Sequence, residues 1–125
     1  MRYLLDVNAL IAAIWKDHVD HAKADSWVAD KDLATCPLSE LGFLRVSTQP
    51  KAIGATMRDA RRLLDDFLTK HATEFIPADL PALQSKPARS QEVTDHYLAE
   101  LAARKGFKLA TLDCNIVHAA VEVIQ

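Results

Sequence analysis

Four acidic residues stand where a folded chain could gather carboxylates: Asp6, Glu40, Asp95 and Asp113. Asp6 closes the short apolar run Tyr3-Leu4-Leu5, and Asp113 closes Leu109-Ala110-Thr111-Leu112. Glu40 follows Ser39 and Asp95 follows Thr94, each at the expected start of a helix. Clustered carboxylates repel one another and resist leaving water, so some stay protonated unless a cation shares the space. Magnesium or manganese suits such a set, because hard divalent ions take oxygen ligands and combine a few protein carboxylates with water and substrate phosphate. An ion held in this way lowers the pKa of a bound water and steadies the attacking and leaving oxygens at phosphorus. The chemistry implied is phosphodiester hydrolysis.

Those acids can meet only if the elements carrying them open on one edge. Short apolar or β-branched runs predict strands over 3–5, 33–36, 74–76, 108–112 and 121–124, two of them closed by Pro37 and Pro77. Between them, helices are expected over 9–15 with Asn8 as cap, over 21–28, from Glu40 with Ser39 as cap, and over 57–67. A further helix is expected from a Thr94 cap through Arg104, stopped by Gly106, and a short one over 114–119. Strands alternating with helices imply an α/β fold of three layers, a parallel sheet with helices on both faces. In such a sheet the strand C-termini and the following helix N-termini line one edge, where ligands bind.

Taken singly, the acids also fit plainer roles. Glu40 and Asp95 would each complement a helix dipole, worth about 0.3–1 kcal/mol at a surface. Asp6 and Asp113 would each bond their own backbone in a turn. Asp6 differs in following an apolar strand directly, which is a ligand position at the sheet edge. The joint pattern carries the assignment.

Composition narrows the field. The 125 residues suit one domain, residues 1–125, and a half-hydrophobic, quarter-charged balance is that of a globular protein. A formal net charge of -2 argues against binding nucleic acid through bulk charge, and leaves room for a local basic face. Neither a signal peptide nor a membrane span of roughly 20 apolar residues is expected. A cytoplasmic location follows, with Cys36 and Cys114 as free thiols. The histidines lack the helical spacing of a zinc site. Arg58, Arg61, Arg62 and Lys70, with Arg45 one helix earlier, form either an RNA or partner face or a solvated surface laced by Asp59, Asp65 and Asp66.

Four segments then fall into a known order: Leu4-Leu5-Asp6-Val7-Asn8-Ala9-Leu10-Ile11, Ser39-Glu40-Leu41-Gly42-Phe43-Leu44-Arg45, Thr94-Asp95-His96-Tyr97-Leu98-Ala99-Glu100-Leu101-Ala102 and Leu109-Ala110-Thr111-Leu112-Asp113. Together they resemble the PIN-domain nucleases, and among them the VapC-type toxins of bacterial toxin–antitoxin pairs. The resemblance implies a metal-dependent endoribonuclease that holds magnesium or manganese through Asp6, Glu40, Asp95 and Asp113. Asn8 and Thr111 match supporting polar positions. Asn115 stands where many relatives carry a further acid, so a fifth carboxylate is absent there. The resemblance further implies an RNA substrate, a homodimer, and a cognate antitoxin that lays a basic side chain over the acids.

Two other functions compete. A haloacid-dehalogenase-like phosphatase would want a second Asp where Asn8 stands, and a receiver domain would want a phosphoacceptor Asp after a central strand and a Lys at a late strand end. A catalytically silent PIN-like binding module would be favoured by the loss of one acid. All four are present, and the enzyme reading leads. Trp15, Trp27, Phe43 and Leu44 are expected to offer more apolar surface than one small core absorbs, which also points to a dimer.

Overall fold

The computed structural model describes residues 1–125. Its elements are β1 (Arg2–Leu5), α1 (Val7–Ile14), α2 (His21–Val28), β2 (Asp32–Thr35), α3 (Pro37–Thr48), α4 (Met57–Lys70), β3 (Glu74–Phe75), α5 (Val93–Arg104), β4 (Lys108–Thr111) and β5 (Val121–Val123). Two 3-10 turns, Ala82–Gln84 and Ser90–Glu92, lead into α5. The sheet is five-stranded, ordered β3-β2-β1-β4-β5, and every neighbouring pair is parallel.

The pleat sorts the strand residues between two cores. Leu4 pairs with Ala34 on one side and Leu109 on the other, and these three face one layer with Leu98, Leu101 and Ala102 of α5. Leu5, Leu33 and Ala110 face the opposite layer, packed under α1 to α4 with Leu10, Val28, Phe43, Leu64 and Phe67. Strands covered on both faces read as unbroken apolar runs, which is why Leu4-Leu5 and Leu109-Ala110 show no polar alternation. The three-layer α/β expectation holds.

Chain order gives the sheet its polarity. From β1 the chain winds outward to β2 and β3, then returns through α5 to start β4 on the other side of β1. The winding therefore reverses between β1 and β4. A crevice opens at such a reversal, beyond the strand C-termini.

Several local expectations need correction. Asn8 does not cap α1; Asp6 does, its carboxylate accepting from the Val7 N–H at 2.8 Å. Ser39 does not cap α3, because that helix starts at Pro37, whose fixed φ and missing N–H suit a first turn. Ser39 lies inside the helix, buried against the Cys36 sulfur at 3.6 Å. Thr94 does not cap α5 either, since the preceding 3-10 turn runs straight into the helix at Val93. Residues 114–119 form no helix. Phe43 is fully buried and Trp15 and Trp27 pack half-buried on the same core, so these three are absorbed there, whereas half-buried Leu44 also lines an open groove. The exposed apolar residues are others, among them Leu41 and Phe75.

One close approach fixes how α1 sits beside α3. A Cβ placed on Gly42 would collide with the Cγ2 of Val7. Val7 is β-branched and stiff at χ1, so it cannot swing aside cheaply. Gly42→Ala is therefore expected to destabilise the fold by about 1–3 kcal/mol through overpacking. Chemical denaturation checks this, and a midpoint equal to that of the unsubstituted chain would show that the two helices can part.

Candidate functional site

At the end of β1 the chain passes directly from strand to helix, and Asp6 occupies the joint. Its backbone N–H continues the β1–β4 ladder, donating to the Ala110 carbonyl at 3.0 Å. Its side chain is buried, 2% exposed. One carboxylate oxygen accepts from the Val7 N–H, and the other accepts from the Thr111 hydroxyl at 2.8 Å. Thr111 Oγ1 accepts in turn from the Asn8 side-chain amide and from the Asp113 N–H, each at 3.1 Å. The Asn8 carbonyl accepts from the Leu112 N–H at 3.0 Å. Asn8 and Thr111 thus lock the loop after β4 onto the start of α1. Asn115 extends the chain of contacts, its N–H donating to the Asp113 carboxylate at 2.8 Å.

Three of the four acids share one field. Burial, then the charge of Asp95, push the Asp6 carboxyl from 3.8 up to about 6, against the Thr111 and Val7 bonds that pull it down; Asp113 adds to the rise. Burial and the charge of Asp113 also hold Asp95 above its ordinary value. Asp95 and Asp113 line one hollow of about 460 Å³ together with Arg89, Glu92, His96 and Asn115.

Glu40 stands apart. It lies in the first turn of α3 and accepts from the Thr35 hydroxyl at 2.7 Å. It lines a larger groove of about 800 Å³ between α3 and α4, with Leu41, Leu44, Arg61, Arg62 and Phe75. The expected basic face is partly tied down, Arg62 pairing with Asp59 at 3.6 Å, while Arg61 reaches the Glu40 groove.

Sequence reasoning missed Thr35 and Arg89. Thr35 ends β2 as Thr111 ends β4, and each donates to an acid, so a strand-terminal threonine was the available signal. His96, bonded to Ser85 at 2.9 Å, and His118, 3.4 Å from Glu100, stack edge to face with centroids 5.3 Å apart. His18 and His21 serve local backbone contacts. Both cysteines are free, Cys36 buried and Cys114 exposed.

The donor set fits a hard divalent cation, since carboxylates raised by burial and by one another's charge gain from one. No three of the chain's His, Cys, Asp and Glu side chains close around a common point. An ion here would touch one or two carboxylates and fill its shell with water, as magnesium commonly does.

Comparison with known proteins shows the family and the fold. A sequence model described as PIN domain matches residues 3–122. The chain belongs to the PIN-domain family. This PIN domain is 38% identical over 121 residues to Ribonuclease VapC38 of Mycobacterium tuberculosis, covering 90% of this chain and 86% of that one. It is 35% identical over 131 residues to Ribonuclease VapC44 of the same species, covering 97% and 92%. Its fold matches the crystal structure of VapBC2 from Rickettsia felis bound to a promoter DNA fragment, with a TM-score of 0.65 at 18% identity and 98% of each chain covered. No helix of this PIN domain is long and apolar enough to cross a membrane.

The raised Asp6 carboxyl has a consequence for stability. The folded chain holds that proton more tightly than the unfolded chain does. Its contribution is therefore fully present below 3.8 and is lost as pH rises to about 6. The loss at neutral pH is on the order of 3 kcal/mol in the metal-free protein. Asp6→Asn, which keeps the size and the capping oxygen, should flatten this decline and unfold later than the parent at neutral pH in chelator. Melting curves across the acid range test it; parallel declines in both proteins would assign the proton to another group.

Proposed function

We propose that this PIN domain is a metal-dependent endoribonuclease and the toxin of a type II toxin–antitoxin pair. What carries the reading is the mutual coupling of Asp6, Asp95 and Asp113 at the point where the sheet reverses its winding. The names of the VapC relatives support ribonuclease activity.

In this reading magnesium or manganese would sit among Asp6, Asp95 and Asp113, touching one or two of these carboxylates and reaching the rest through water, with Glu40 completing the acidic edge from the first turn of α3. Held there, such an ion would supply a nucleophile from water at neutral pH and would offset charge on the phosphodiester. Asp6 is fixed by Val7 and Thr111, so its carboxylate is presented in one orientation. Asn8 and Thr111 set the height of Asp113 by holding the backbone of residues 111–113. Asn115, placed on the Asp113 carboxylate through its backbone, is a supporting residue and no ligand. The VapBC2 likeness supports an antitoxin partner, whose basic side chain would pair with the acids and compete with the ion. The homodimer rests on the family resemblance alone.

Cleavage of single-stranded or structured RNA should require magnesium or manganese and cease in chelator. Asp95→Asn and Asp113→Asn are each expected to lower the rate by about 100-fold or more, the scale of losing a charge-stabilising group, while thermal unfolding stays cooperative. Cleavage that persists in chelator would exclude the metal mechanism, and a fully active variant would remove its residue from the site. Glu40→Gln reports separately on whether the α3 side takes part.

A further inference from the structure

RNA approaching this site meets a difficulty of charge. Glu92, Asp95 and Asp113 line the hollow, the buried Asp6 feels the charge of the last two, and every nucleotide brings a phosphate. One ion held by few carboxylates leaves the flanking phosphates uncompensated. Among the residues lining that hollow, a single Lys or Arg is present, Arg89.

Arg89 is held so as to leave its outer edge free. It opens the 3-10 turn Ser90–Glu92, and its backbone N–H donates to Glu92 Oε1 at 3.0 Å. Its Nε donates to the same oxygen at 3.3 Å. The two terminal guanidinium nitrogens have no hydrogen-bond partner in the protein. A guanidinium anchored through Nε retains the two outward N–H groups whose spacing matches two oxygens of a phosphodiester. The anchor also limits the side-chain entropy lost when that pair forms.

The wall of the hollow continues past His96 into a second one of about 560 Å³, lined by Lys86, Glu100, Arg104 and His118. There Arg104 is engaged by Glu100 at 3.2 Å, and His118 accepts from the Ala120 N–H and faces Glu100. Lys86 makes no ion pair with any residue. A strand leaving the acids along this wall meets the unpartnered outer edge of Arg89 and then the unpaired Lys86.

We propose that Arg89 is a phosphate-binding residue for the RNA strand, its outer guanidinium edge holding a phosphodiester beside the acids, and that Lys86 holds a further phosphate in the adjoining hollow. This inference rests on the ribonuclease reading and adds the path of the substrate to it. Phosphate contacts are independent of sequence, so a generic labelled single-stranded RNA is a sufficient probe.

The test measures binding of that RNA by fluorescence anisotropy over a range of salt, using the full chain with Asp6→Asn to prevent cleavage. Adding Arg89→Gln should weaken binding about tenfold at low salt and lower the slope of log K against log salt by about 0.7, the share of one phosphate on a single strand. Arg89→Lys keeps the charge and should restore the slope while recovering only part of the affinity. Lys86→Gln should lower the slope by a similar amount. If the Asp6→Asn chain binds no RNA, the ribonuclease reading falls and this inference with it. If it binds RNA and both Arg89→Gln and Lys86→Gln keep the full slope, only this inference is overturned. A slope lost in Arg89→Gln and not restored in Arg89→Lys would mean that the turn, and not the charge, was altered, and would equally overturn it.

Discussion

The Thr111 hydroxyl has one proton and two lone pairs, and all three are committed. The proton goes to the buried Asp6 carboxylate, and the lone pairs accept from the Asn8 amide and the Asp113 N–H. Four segments are tied by that one oxygen: the end of β1, the first turn of α1, the end of β4 and the loop after it. A hydroxyl so saturated has no spare capacity, and replacing it would leave a buried carboxylate short of a donor. The other acids are placed relative to this knot. Asp113 follows Thr111 by two residues, and Asp95 reaches the same field from the first turn of α5, which packs on β4.

Much of the frame was readable from residue type, because strands covered on both faces must be short apolar runs and the connections between them must be helical. The positions of Asp6 and Asp113 at strand ends were readable for the same reason. Helix starts were not. Local rules favour Asn8, Ser39 and Thr94 as caps, yet the chain leaves β1 without a linker, so the cap falls to Asp6, and Pro37 opens α3 two residues before Ser39. Asn8 is released from capping and spends its side chain on β4, a contact with a residue 103 positions away that no local pattern reveals. The surplus apolar surface expected from Trp15 and Phe43 disappears on similar grounds. The Trp15 indole N–H finds Ser47 at 2.9 Å, and its ring stacks parallel to Phe43 across the α1–α3 contact.

The acidic edge has a repeated construction that separates its two halves. Thr111 at the end of β4 donates to Asp6, and Thr35 at the end of β2 donates to Glu40. Both threonines are fully buried, so each carboxylate is fixed from below by a group that cannot turn to water. The environments then diverge. Asp6 is buried among like charges and its carboxyl rises to about 6, whereas Glu40 opens on the α3–α4 groove beside Arg61. Under the proposed function, the α5 side would carry the ion and the α3 side would complete the edge next to an apolar groove.

A carboxylate buried among other acids lowers stability at neutral pH, so its environment must be held by something other than the site itself. Val7 supplies part of that hold. It follows Asp6 directly and wedges against Gly42 of α3, so α1 cannot slide to let the carboxylate reach water. The two strands of the knot, β1 and β4, are the sheet's central neighbours and bury Leu4, Leu5, Leu109 and Ala110 completely. Relaxing the repulsion by moving Asp6 would open both cores at once. Packing therefore keeps the acids close, and the least costly relief of their charge is a proton at low pH or a cation near neutrality. With Arg89 the only Lys or Arg lining the hollow, and that one engaged at Nε by Glu92, most of the compensating charge has to arrive from outside the chain.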